Sequence, residues 1–119
     1  KQAHFLIVPS RAEAYGIVFC EASSFGIPSL TTNVGGIPTV VRDGLNGRTF
    51  PLDAPIDEYV AFIMRHMADR AAYRQLAMTT FGEFSSRLNW RSAGEAILSH
   101  LEQAMSGRNS KPSQTSGPC

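Results

Sequence analysis

Cysteine is scarce in this chain, and its placement excludes more than it offers. Cys20 sits inside an apolar stretch and Cys119 at the last position, which is neither a disulfide framework nor a metal-ligand cluster, so a reducing, cytoplasmic setting fits. Histidine is equally sparse: His4, His66 and His100 lack ligand spacing, and no metal is expected. An excess of charge is missing too, with 11 Lys and Arg against 10 Asp and Glu, which leaves no basic field to make nucleic acid a default partner. No apolar run reaches the length needed to cross a bilayer. The opening KQAHFLIVPS has neither an initiator Met nor a signal-like segment, and reads as the interior of a longer protein.

What is present is enough for one core: 119 residues, 43% of them hydrophobic. His4 to Val8 is a short apolar run stopped by Pro9-Ser10, as expected of a buried, central parallel strand. A loop, Arg11 to Tyr15, leads to a short helix over Gly16 to Phe25, stopped by Gly26 and Pro28. Ser29 to Thr32 predicts a second strand, Ile37 to Val41 a single helical turn, and Arg48 to Phe50 a third strand after the turn residues of Arg42 to Gly47. Beyond Pro51 the pattern is helical to Met105. One helix starts near Pro55, a second is capped by Asp69, and a third begins near Asn89 or Trp90 with Ala93, Ile97, Leu98 and Leu101 as its stripe. The expected class is α/β: a partial Rossmann-like parallel sheet of about three short strands flanked by helices, with a helical C-terminal segment. Residues 1–105 form the domain, and residues 106–119, with little apolar content, form a disordered tail.

In open parallel α/β sheets, ligands bind outside the carboxyl ends of the strands. The loop Arg11 to Gly16 occupies that place, and a helix starting near Gly16 turns its free N–H groups toward it, which favours an anion such as a phosphate. Gly16 lets the guest approach the backbone. Glu13 precedes the helix, and Glu21 lies roughly 7 Å along its axis from Gly16 at about 1.5 Å per residue. Carboxylates are poor phosphate ligands and good acceptors for sugar hydroxyls, so the arrangement suits a nucleotide diphospho-sugar. Taken singly, each glutamate is better accounted for as a solvated surface acid.

The run Pro9-Ser10-Arg11-Ala12-Glu13-Ala14-Tyr15-Gly16-Ile17-Val18-Phe19-Cys20-Glu21-Ala22, then Phe25-Gly26-Ile27-Pro28 and Asn33-Val34-Gly35-Gly36-Ile37-Pro38, resembles the family 4 (group 1) glycosyltransferases of GT-B fold. Those enzymes carry two Glu separated by seven residues, an aromatic-Gly pair between them, a G-x-P stop and a V-G-G-x-P loop. The turn Asp43-Gly44-Leu45-Asn46-Gly47 is similar as well. The likeness runs from about Phe5 to Pro51, with a looser helical likeness to Met105.

The resemblance implies the C-terminal part of a nucleotide-sugar-binding domain, acting in glycosyl transfer from a nucleotide diphospho-sugar to an acceptor alcohol, with retention and without a catalytic metal. Glu13 becomes the catalytic position, accepting hydrogen bonds from the donor sugar, and Glu21 holds the ribose. Backbone N–H groups near Tyr15, Gly16 and Ile17 face the diphosphate or sugar, standing in for a metal's charge. Two positions depart from the family pattern: Ala14 stands where Gly is frequent, and Thr39 where Glu is. The basic diphosphate ligands and the acceptor-binding N-terminal domain would precede Lys1, and peripheral membrane attachment of the full-length enzyme stays open. Strand His4 to Val8, lacking a neighbour on that side, would leave an apolar edge open to self-association.

Arg11 reads as an exposed loop residue and Cys20 as a small core residue. Gly35-Gly36 reads first as a tight turn and second as a wall of the sugar pocket. Trp90 with Leu88 is expected between helices, or at a crossover toward another domain. Two rival functions remain at this point: a sugar-nucleotide epimerase of GT-B fold, and a truncated, non-catalytic interaction module.

Overall fold

A computed structural model describes residues 3–109. The chain divides into two compact units, Lys1–Asn89 and Trp90–Cys119. The first holds three parallel strands, β1 (Leu6–Val8), β2 (Ser29–Thr32) and β3 (Gly47–Phe50), in the order β1-β2-β3. Around them run α1 (Ile17–Ser24), α2 (Ile37–Val40), α3 (Ile56–Ala68) and α4 (Arg70–Ser86). The structure therefore bears out the expected α/β class. It moves the centre of the sheet, however. Ser29–Thr32 is the middle strand and is buried at every position, whereas the strand expected from His4 begins at Leu6 and is an edge, with Ile7 49% exposed. Among the described residues β1 pairs only with β2, in line with the apolar edge expected of His4 to Val8.

Parallel pairing of Leu6 with Ser29 and Val8 with Thr31 sets the faces, because side chains alternate along a strand and paired residues share a face. On one side Phe19 of α1, Ile37 and Val40 of α2, Val41 and Leu88 form a buried cluster that receives Leu6 and Val8. On the other, Leu30 and Phe50 meet Tyr59 and Phe62 of α3 and Leu76 of α4. Phe50 stacks on Tyr59 with ring centroids 4.1 Å apart and meets Phe62 edge-on at 6.4 Å, geometries that add to simple area burial.

Each helix end has a local cause. Gly26, at φ 67°, closes α1, and its N–H and that of Ile27 donate to the carbonyls of Ser23 and Ala22. Only a residue without Cβ takes that left-handed conformation cheaply. Asp57 and Glu58 stand in the first turn of α3 and Arg65 and His66 in its last, each complementing the helix dipole. The Asp69 carboxylate accepts from Ala72 N–H at 3.1 Å and starts α4, as its sequence position predicts.

The hydroxyls of Ser23, Ser29 and Thr31 are buried without a protein partner among the described residues. A buried hydroxyl that makes no hydrogen bond costs stability, and valine has the shape of threonine and suits a strand better. Thr31→Val is accordingly expected to raise stability by about 1 kcal/mol. A denaturant midpoint unchanged or lowered at constant slope would contradict this.

In the second unit, α5 (Trp90–Asn109) is one helix. It continues past Ser106, where the tail was expected to begin, and residues 110–119 lie outside the described residues. Leu88 is buried in the core of the first unit, and Trp90 opens α5 in the second. No helix among the described residues is long and apolar enough to cross a membrane.

Candidate functional site

The loop from Pro9 to Gly16 leaves the carboxyl end of β1, and the loop from Asn33 to Gly36 leaves that of β2. The two meet. Gly36 N–H donates to the Glu13 carbonyl at 3.1 Å, and the buried Thr32 hydroxyl donates to the Ser10 carbonyl. The expected anion seat is thus walled by two loops.

Gly16 is the N-cap of α1, at φ 79° and ψ 61°, and no side chain caps the helix. A Cβ there would lie 2.5 Å from the Phe19 ring and 3.4 Å from Glu13 Cγ. Glycine is therefore needed twice over, for the left-handed backbone and for the buried Phe19 beneath it. The second contact also locates Glu13, whose side chain lies beside Gly16 at the helix N-terminus. Glu13 is half-buried, and Glu21 stands exposed on α1. Both carboxylates can accept hydrogen bonds, Glu13 beside the helix start and Glu21 from the helix surface.

Tyr15 and Ile17 are half exposed on either side of the buried Gly16. The Cys20 thiol donates to Tyr15 Oη at 3.7 Å. The neighbouring Cys20 sulfur, followed by burial, disfavours the phenolate and raises the Tyr15 pKa, so the phenol stays protonated in the neutral range. Cys20 is partly buried against the first cluster, as a small core residue should be, but its contact with Tyr15 has no signal in the sequence. The same is true of Thr32 and Ser10, which are distant in sequence. Arg11 is exposed.

The turn Asp43 to Gly47 is structural. Asn46 is fully buried; its Nδ2 donates to the Val40 carbonyl at 2.8 Å and its Oδ1 accepts from Arg42 N–H at 2.7 Å. Asp43 Oδ1 accepts from the N–H and the hydroxyl of Thr49. Arg87, which follows α4, donates to the carbonyls of Thr39 and Val40 at 2.7 and 3.0 Å and pairs with Glu83, closing the end of α2 that follows the glycine loop. A recess of about 740 Å³ lined by His4, His66, Arg70, Tyr73 and Arg74 shares no residue with these loops.

Residues 1–80 match the family described as glycosyl transferases group 1. The chain belongs to that family. Among curated relatives, this chain is 33% identical over 107 residues to a D-inositol 3-phosphate glycosyltransferase of Streptomyces bingchenggensis, covering 90% of this chain and 23% of that protein. It is 30% identical over 105 residues to the protein of the same name from Thermobifida fusca, covering 88% and 24%. Among solved structures, the sucrose-phosphate synthase of Thermosynechococcus elongatus superposes with a TM-score of 0.72 at 26% identity over 88% of this chain and 26% of that one. The chain thus spans about a quarter of the length of the curated relatives it matches. Family membership agrees with the order of motifs from Glu13 to Pro38 and with the parallel sheet that carries them.

Proposed function

We propose that this segment supplies the donor side of a retaining glycosyltransferase that moves a sugar from a nucleotide diphospho-sugar to an acceptor alcohol, as part of a longer enzyme. The observation that carries the reading is the position of Glu13 beside Gly16 at the uncapped N-terminus of α1. The helix offers N–H groups and partial positive charge to an anion, and the carboxylate beside them accepts hydroxyl protons. In this reading Glu13 takes hydrogen bonds from the transferred sugar and Glu21 from the ribose. The backbone of Tyr15, Gly16 and Ile17 faces the diphosphate. As the bond from the anomeric carbon to the diphosphate breaks, negative charge grows on the leaving oxygen, and fixed N–H dipoles stabilise it without a metal. The outer edge of β1 is where the rest of the sheet, or a second copy of an isolated segment, would add.

The full-length enzyme, incubated with a panel of nucleotide diphospho-sugars and acceptors, is expected to release nucleoside diphosphate only when acceptor is present, to continue in EDTA, and to keep the donor's anomeric configuration in the product. The isolated segment should show no turnover. Interconversion of nucleotide sugars without acceptor would point instead to an epimerase, and an inverted product would remove the retaining assignment.

A further inference from the structure

Three contacts tie the segment leaving β2 to the loop that carries Glu13. Thr32, 2% exposed, donates its hydroxyl to the Ser10 carbonyl, and Gly36 N–H donates to the Glu13 carbonyl at 3.1 Å. The third is contact without a bond: a Cβ on Gly35 would come within 2.0 Å of the Glu13 carbonyl oxygen, and one on Gly36 within 1.9 Å of that of Ala14. Gly36 has φ −82° and ψ −3°, values open to any residue. Its lack of a side chain therefore answers to the neighbouring loop and not to its own backbone. The tight-turn reading of this glycine pair accounts for Gly35, at φ 53°, but not for Gly36.

We propose that Thr32, Gly35 and Gly36 are positioning residues, which fix the backbone at Ser10, Glu13 and Ala14 so that the Glu13 carboxylate stands at the height of the transferred sugar above the N-terminus of α1. This rests on the donor-side reading of Glu13. The contacts hold the loop by its main chain at both ends, and the Glu13 side chain is left with only its own rotamers to place. A methyl group on Gly36 would overlap the Ala14 carbonyl, so the loop must retreat and take Glu13 with it. Displacement of a reacting group by about 1 Å can cost on the order of a hundredfold in rate.

The test is steady-state kinetics of the full-length enzyme with Gly36→Ala, Thr32→Val and Thr32→Ser, each made alone and together with Glu13→Gln. Gly36→Ala and Thr32→Val are expected to lower kcat by about tenfold to a hundredfold with KM little changed. Thr32→Ser, which keeps the hydroxyl, should stay near wild type. Combined with Glu13→Gln, neither Gly36→Ala nor Thr32→Val should lower kcat further, because residues acting through one group are not additive. A general loss of structure would multiply in both backgrounds, and that result would overturn the proposal. So would wild-type kcat in folded Gly36→Ala and Thr32→Val. If Gly36→Ala does not fold, the contrast between Thr32→Val and Thr32→Ser decides. If Glu13→Gln alone leaves kcat unchanged, the donor-side reading fails and the proposal with it. Loss in Glu13→Gln with normal Thr32 and Gly36 variants defeats the positioning role alone.

Discussion

Glu13→Gln in the full-length enzyme is expected to lower kcat about tenfold to a hundredfold with KM nearly unchanged, and Glu21→Gln to raise KM by a similar factor with kcat nearly unchanged. The size follows from one hydrogen bond to a charged acceptor, about 1.5–3 kcal/mol. The split follows from position. Glu13 is half-buried beside Gly16, where the transferred sugar would sit; that group changes charge and shape during reaction, so the contact counts most in the transition state. Glu21 is exposed on α1 and would meet the ribose, which does not change, so its loss weakens ground state and transition state alike. Glutamine preserves size and one acceptor while removing charge. Kinetics on both variants, with product stereochemistry, check the assignment. Near-wild-type constants for both would return the two residues to the status of solvated acids.

The second large effect is on stability. Asn46 is fully buried and bonded at both ends of its amide, to the Val40 carbonyl and the Arg42 N–H. Asn46→Ala removes both bonds and leaves the Arg42 N–H without its acceptor, at a cost of about 2–5 kcal/mol. Asn46→Asp keeps Oδ1 for Arg42 but turns a second oxygen toward the Val40 carbonyl, so it should recover only part of the loss. Chemical denaturation of the isolated chain measures this, and a change below about 1 kcal/mol for Asn46→Ala would show that the turn holds without its amide.

The contrast between these residues explains how far the sequence could be read. Strands Ser29–Thr32 and Gly47–Phe50, the helix after Gly16, and the Asp69 cap rest on local rules: β-branched runs, glycine and proline stops, and a side-chain acceptor at a helix start. Glu13, Tyr15, Gly16, Ile17 and Glu21 could be proposed as a group because the chain order of their motifs carries the likeness. The place of β1 at the edge was legible only from the neighbour expected to precede Lys1, and not from its own residues. The work of Thr32 and Gly36 was not legible, because a contact across two loops leaves no periodic or compositional trace.

Arg87 adds a consequence for the order of events as the chain is made. It satisfies the carbonyls of Thr39 and Val40 from 48 and 47 residues downstream. During synthesis from the amino end neither carbonyl can meet the guanidinium until the chain beyond α4 has left the ribosome. Asn46 can reach Val40 early, because it lies only six residues away; Arg87 cannot. The end of α2 is thus bonded in two stages, a local one through Asn46 and a late one through Arg87.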